Sequence, residues 1–212
     1  MKKNKRIKSV DVIKEHIINN KKEYIIVTLL FIIGIFLGVL FINNIGETQK
    51  TEITTYFNAF VEKMKNTEVL NKTDLLKNSI IQNGLLAIVL WFFGTTVIGI
   101  PIVFGLVLYR GFCLGYTISV CIIVFGLTKG ILFVIILLLL QNLLFIPTIL
   151  ALSVSGFKLC KSIIKDRNKE NVKIEILRHT IFSFVMLSFL IMASCIEIFL
   201  STTFLKGLIK YF

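Results

Sequence analysis

Charge is what this chain lacks over its longest apolar stretch. Between Lys77 and Lys129 the one charged side chain is Arg110. A soluble domain cannot hide that much apolar chain behind so little polar covering. Histidine is scarce: His16 and His179 are far apart in sequence and both fall in basic segments, so no metal site is expected. The four cysteines, Cys113, Cys121, Cys160 and Cys195, lie in or near apolar runs without metal-type spacing. They read as small apolar fillers. There is no His-Glu-x-x-His, no phosphate loop, and no Ser or Cys with a His partner. No catalytic set and no cofactor are therefore expected, and Glu197 alone cannot supply an acid and base pair.

What is present is apolar. The chain is 56% hydrophobic with nineteen Phe and a mean hydropathy of +0.86. Runs of about 18 or more such residues read as membrane spans. The expected fold is all-α, a polytopic bundle of about five transmembrane helices in a single membrane domain, residues 24–212. The spans are expected near 24–42, 80–100, 101–127, 130–157 and 180–205.

The net charge of +12 is local. Residues 1–23 hold eight Lys/Arg against Asp11, Glu15 and Glu23, a net +5. Residues 158–179 hold seven against Asp166, Glu170 and Glu175, a net +4. Residues 43–79 hold five of each sign and balance. Basic loops face the cytoplasm, so the N-terminus and 158–179 are expected inside, and 43–79 and the C-terminus outside. The tail's Lys206 and Lys210 are a mild exception. Nucleic acid is not an expected partner, because the basic segments flank spans and lack interleaved aromatics; the lipid bilayer is.

In 1–23, Val10, Ile13 and Ile17 recur at helical spacing, which suits either a helix on the membrane surface or a solvated tail. The first span follows as an uncleaved signal anchor, since Phe41-Ile42-Asn43-Asn44 offers no small-x-small cleavage site. In the external segment, Ile53, Phe57, Phe60, Val61 and Met64 mark an amphipathic helix. It can lie on the membrane, pack on the bundle, or meet a partner. Thr73-Asp74 offers a helix N-terminus. Asn71-Lys72-Thr73 matches a glycosylation sequon, a pattern common by chance.

Arg110 and Glu197 are the charges well inside apolar runs. Such residues face a protein interior or cavity and mark an ion pair or polar path, or else snorkel to an interface. Either the chain turns at Gly99-Ile100-Pro101 with Arg110 inside the third span, or the second span continues to Leu108 and Arg110 sits at the surface. In the first case Arg110 lies roughly 14 Å from the inner surface and Glu197 roughly 10 Å further out, so a direct pair is not expected. Gln141 and Asn142 are amides that need partners in lipid-like surroundings. Pro147 frees a carbonyl a turn earlier, so 142–147 is expected to kink. Gly34/Gly38 and Gly111/Gly115 have the spacing that lets helices approach closely; Gly126/Gly130 straddles a loop and is given no packing role.

Three runs carry a resemblance: Thr96-Val97-Ile98-Gly99-Ile100-Pro101, Arg110-Gly111-Phe112-Cys113-Leu114-Gly115-Tyr116-Thr117, and Gln141-Asn142-Leu143-Leu144-Phe145-Ile146-Pro147. With Leu29-Leu30-Phe31, Gly34, Gly38 and Glu197, they resemble the stage II sporulation protein M family over nearly the whole chain. The resemblance implies a non-enzymatic scaffold at the sporulation septum during engulfment. Its implied partners are membrane-anchored peptidoglycan hydrolases, stage II sporulation proteins D and P. Ile53, Phe57 and Phe60 are the expected partner-binding face. The rival reading is a membrane subunit of a transporter, favoured by polar residues at span centres and by helices broken at proline. A lipid-modifying enzyme would need paired acidic or histidine residues at an interface, which are missing.

Overall fold

The structure, a computed structural model, describes residue 18 and residues 20–65, 72–135, 140–165 and 169–208. Among these the chain forms six helices and no strand: α1 (Lys21–Asn44), α2 (Glu47–Lys65), α3 (Lys72–Gly94), α4 (Gly99–Val134), α5 (Leu140–Lys165) and α6 (Lys169–Leu208). All but α2 are long and apolar enough to cross a membrane. The chain is an all-helical, multi-pass membrane protein. The N-terminal surface helix, the sequon residue Asn71 and Lys210 of the tail lie outside the described residues, as do the side chains of Phe60, Val61, Met64, Gln141 and Lys206.

Helix α1 shows why lipid is the solvent. Val27, Phe31, Gly34, Gly38 and Ile42 are buried along one stripe. Ile25, Leu29, Ile32 and Phe36, at the same helical spacing, are exposed on another. A helix apolar all round is a membrane span or a deep core element. Conversely, small polar groups are inside: Asn83, Ser119, Thr148, Ser153, Ser155, Ser183 and Ser194 are all buried. Helix α5 is the central post. Of its most apolar window 56% is buried, against 22 to 28% for the other four spans. Its Phe145, Ile149, Leu152 and Val154 join Leu86 and Leu90 of α3, Val103 and Val107 of α4, and Leu190 of α6 in one core.

The tightest packing is between α1 and α4. A Cβ on Gly34 would overlap the Leu108 carbonyl, and one on Gly38 the Phe112 carbonyl. Reciprocally, a Cβ on Gly111 would overlap the Phe31 carbonyl, and one on Gly115 the Ile35 carbonyl. Two four-residue glycine repeats thus face each other, and each glycine receives the partner's backbone. Lipid tails are as apolar as leucine, so no hydrophobic force drives this contact. Dispersion and weak Cα–H···O contacts hold it, and both need close approach.

The turn between α3 and α4 settles where Arg110 sits. Helix α3 stops at Gly94, and the Thr95 and Thr96 hydroxyls donate to the Phe92 and Phe93 carbonyls at 2.7 and 3.1 Å. The hydroxyls thereby satisfy carbonyls that a helix end leaves open. The Gly99 amide donates to the Thr96 carbonyl at 3.1 Å, and a Cβ there would overlap the Phe93 carbonyl. Pro101 lies in the first turn of α4, where its missing amide has no intrahelical use. The turn is therefore at 95–98, and Arg110 is three turns into α4.

At its other end α4 departs from expectation. Gly126 has φ 77° and ψ 168°, a region essentially reserved for glycine. Eight residues of straight helix span about 12 Å, yet a Cβ on Gly130 would touch Ile122 Cα. The chain has doubled back on itself. The Phe125 and Phe133 rings close the fold-back at 4.9 Å between centroids, and Phe57 of α2 packs on them at 5.7 and 6.3 Å. Residues 130–134, expected at the start of the fourth span, belong to this fold-back, and that span is described from Leu140 to Lys165. Gly126 and Gly130, expected to have no packing role, are the hinge and the contact of the reversal.

Gly111→Ala is expected to destabilise the protein by about 1–3 kcal/mol, because the clash is with backbone that no rotamer relieves. Gly105→Ala is the control, since nothing lies within 4 Å of its added Cβ. Thermal unfolding in detergent should show a lowered midpoint for the first and none for the second.

Candidate polar well and interhelical ladder

Two apolar helices here carry matched polar stripes. On α3, Ser79 and Asn83 lie one turn apart, and on α6 Ser194 and Glu197 do the same. The helices run antiparallel, so the stripes meet in order. Ser79 Oγ donates to Glu197 Oε2 at 2.7 Å, and Asn83 Nδ2 donates to Ser194 Oγ at 2.7 Å. Ser194 passes its own proton to the Leu190 carbonyl at 3.1 Å. Two turns beyond Asn83, Trp91 Nε1 donates to Thr180 Oγ1 at 3.2 Å. These three rungs fix the register of α3 against α6. In a membrane each is worth about 0.6–2 kcal/mol.

The upper rungs border a cavity of about 370 Å³ between α3, α4, α5 and α6. Asn78, Ser79 and Gln82 line it from α3, Arg110 from α4, Asn142 from α5 and Glu197 from α6. It lies at the end of the bundle where α3 and α5 begin, the end that also carries α2. Asn83, at its floor, is about 16 Å along α3 from Lys72. Along α3 the lining runs from Leu75 to Asn83, about 12 Å. The Arg110 guanidinium stands 5.2 Å from the Phe145 ring centroid, within cation–π range. Arg110 and Glu197 do not form an ion pair among the described residues, but they face one cavity and attract each other across it.

The structure therefore brings together Arg110, Asn142 and Glu197, three residues far apart in sequence. It places Gly111 and Gly115 on the next faces of α4, in the glycine contact with α1. Gly99 and Pro101 are at the opposite end, in the turn before α4. Pro147 lies inside α5 on its exposed side, with Leu143, whose carbonyl it leaves without an amide partner. The helix is continuous through it, and Thr148 Oγ1 bonds the neighbouring Leu144 carbonyl at 2.6 Å. Ile53 and Phe57 lie at the side of α2 that is half-buried. Of the three uses open to that face, Phe57 takes packing on the bundle.

A second polar cluster was not legible as such. His179, grouped with the basic loop in the sequence, is buried on α6. Its Nδ1 is 2.8 Å from Ser155 Oγ of α5, and its Nε2 makes no hydrogen bond among the described residues. Gly94 and Gly156 make room for the ring, since a Cβ on Gly94 would contact both His179 and Gly156 Cα. Cys160 Sγ sits 2.8 Å from the Thr96 carbonyl, tying α5 to the turn after α3. No group of three or more His, Cys, Asp or Glu is arranged for a metal among the described residues.

The three runs that mark the sequence now have places: the α3–α4 turn, the glycine face beside the cavity, and the start of α5 that walls it. The family model of stage II sporulation protein M matches residues 27–202. The chain belongs to that family. The match takes in four of the five spans and the first from Val27 onward, both glycine repeats, the ladder and every residue of the cavity. Membership makes the chain a multi-pass membrane protein of a sporulation family. No curated protein and no solved structure matches it.

Asn83→Ala should lower stability by about 1–2 kcal/mol, and Ser194→Ala by less, with a coupling near 0.6 kcal/mol between them. A double-mutant cycle of unfolding in detergent measures it. Fully additive losses would show that this rung does not join the helices.

Proposed function

We propose that the chain is a non-enzymatic membrane scaffold that holds peptidoglycan hydrolases at the sporulation septum during engulfment. Membership of the stage II sporulation protein M family carries this reading. The partners are membrane-anchored hydrolases resembling stage II sporulation proteins D and P. The architecture supports it in two ways. The glycine contact and the α3–α6 ladder make a stiff body from sequentially distant helices. That body leaves large apolar side chains, such as Ile25, Leu29 and Phe36, on its outer surface, where a partner's membrane helix can pack. Holding two hydrolases on one body raises their effective concentration at the wall without any new contact to it.

The orientation that suits this role follows the basic loops. Residues 1–23 and 158–179 lie in the cytoplasm, and 43–79 with the C-terminus lie outside. Helix α2 and the mouth of the polar well then face the wall. Because Phe57 is docked on Phe125 and Phe133, the surface of α2 left for partners is the exposed side with Thr51, Thr55 and Tyr56. Of the expected partner-binding residues, Phe57 is thus engaged within the chain.

One observation favours the second reading, a transporter subunit. The polar well is a partial path into the membrane with opposite charges on its walls. A tagged copy pulled down from sporulating membranes separates the two. Co-purified membrane-anchored hydrolases are expected; an ATPase without any hydrolase would reject the scaffold.

The orientation has its own test. In a cysteine-free variant, Tyr56→Cys should react with a membrane-impermeant maleimide on intact cells, and Lys161→Cys only after permeabilisation. The reverse pattern would invert the topology.

A further inference from the structure

The outer side of the α3–α6 seam is not flat. A groove of about 350 Å³ lies beside the Trp91–Thr180 rung. Its floor is small: Ala87 and Ser183 are buried there. Ile88 and Phe184 stand as its walls, 54% and 67% exposed, and Leu187 lines it furthest along α6. The polar groups of the lining are already satisfied. Trp91 Nε1 is taken by Thr180, and the Thr180 and Ser183 hydroxyls donate to the Ile176 and His179 carbonyls at 2.9 and 2.8 Å. An apolar occupant therefore leaves no hydrogen bond unmade.

Shape decides which apolar occupant fits. Membrane helices pack closely where small residues lie open to the partner. Here the small residues lie below two large side chains, which hold a helix about 10 Å across away from the floor. A single acyl chain is thin enough to enter, and an unfilled groove forfeits its dispersion contacts. Charge decides which lipid. The stripe of Thr180, Phe184 and Leu187 continues toward the start of α6 through Leu177 to Lys173, seven residues and about 10 Å before Thr180. Leu177 and Lys173 are exposed, and Lys173 pairs with no carboxylate among the described residues. Glu175 lies on the opposite face of the helix and is held by Arg178 at 2.7 Å.

We propose that this groove binds an anionic phospholipid, one acyl chain lying between Ile88 and Phe184 and the phosphate on the Lys173 ammonium. The Trp91 indole then lies between headgroup and chain, the depth at which tryptophan is enriched in membrane proteins. The site depends on neither the scaffold nor the transporter reading, and on neither orientation of the bundle.

The full chain in nanodiscs of phosphatidylglycerol and phosphatidylcholine in equal amounts tests this, with native mass spectrometry of the lipid it retains. One phosphatidylglycerol per chain is expected, kept about five-fold over phosphatidylcholine. Lys173→Gln should bring the two lipids level while one is still retained. Ile88→Ala with Phe184→Ala should lose the retained lipid of both kinds, with thermal unfolding unchanged. A photoreactive phenylalanine analogue in place of Phe184, activated in sporulating membranes, should yield a lipid adduct. Retention by the wild type that rises with lipid without levelling at one per chain is ordinary boundary lipid and overturns the proposal without reference to any variant. So does a phosphatidylglycerol preference that survives Lys173→Gln, or retention that survives loss of both walls. An adduct to another protein, or to a second copy of this chain, gives the groove to a membrane helix and overturns the proposal as well.

Discussion

The contact on which the bundle depends is backbone against backbone. Four glycines, Gly34, Gly38, Gly111 and Gly115, let α1 and α4 approach until carbonyls of each fill the place where the other's Cβ would be. No side chain can improve that fit, and any added methyl must push the helices apart. The position of α4 then fixes much else. Arg110 is adjacent to Gly111, so the glycine face turned toward α1 directs the guanidinium away from it, toward α5 and the well. Phe145 and Asn142 meet it there because α5 is the central post and touches every other span.

The remaining helices are held by a different kind of force. Helices α3 and α6 meet through hydroxyl, amide, indole and carboxylate groups in a ladder, and α5 joins α6 through Ser155 and His179. In lipid these groups have few alternatives, so they specify register rather than supply bulk stability. The molecule thus has a dry seam at α1–α4 and a polar one at α3–α6. The well lies between them, where neither kind of packing closes the gap.

The spans were readable because lipid imposes a length and an apolar composition that few other settings allow. Gly34/Gly38 and Gly111/Gly115 were readable because that spacing inside an apolar run puts both glycines on one helix face. Other features were hidden by distance. Ser79 and Glu197 make sense only as a pair, and nothing in either apolar run announces the partner. Linear arithmetic set Glu197 further out than Arg110, but the two long side chains reach into one space. His179 was obscured by its charged neighbours, although α6 begins ten residues earlier and carries it inward. A loop between Gly126 and Gly130 was expected, but not that the residues after it would pack back on α4 before the fourth span begins. Phe57 was legible as an amphipathic residue, but its ring partners, Phe125 and Phe133, lie on either side of the turn and meet only because residues 130–134 fold back on residues 121–125.

The glycine seam also has a consequence for biogenesis. Helix α1 leaves the ribosome first, and its matching stripe on α4 follows on the order of 75 residues later, which takes roughly 4–15 s at ordinary synthesis rates. Throughout that interval the nascent first span stands in the bilayer with an open small-residue face. The same face on another nascent copy is a ready mate, because such stripes pair with themselves. Maturation is therefore a race between intrachain closure and dimerisation of unfinished chains. Its outcome depends on how densely ribosomes crowd the membrane during expression.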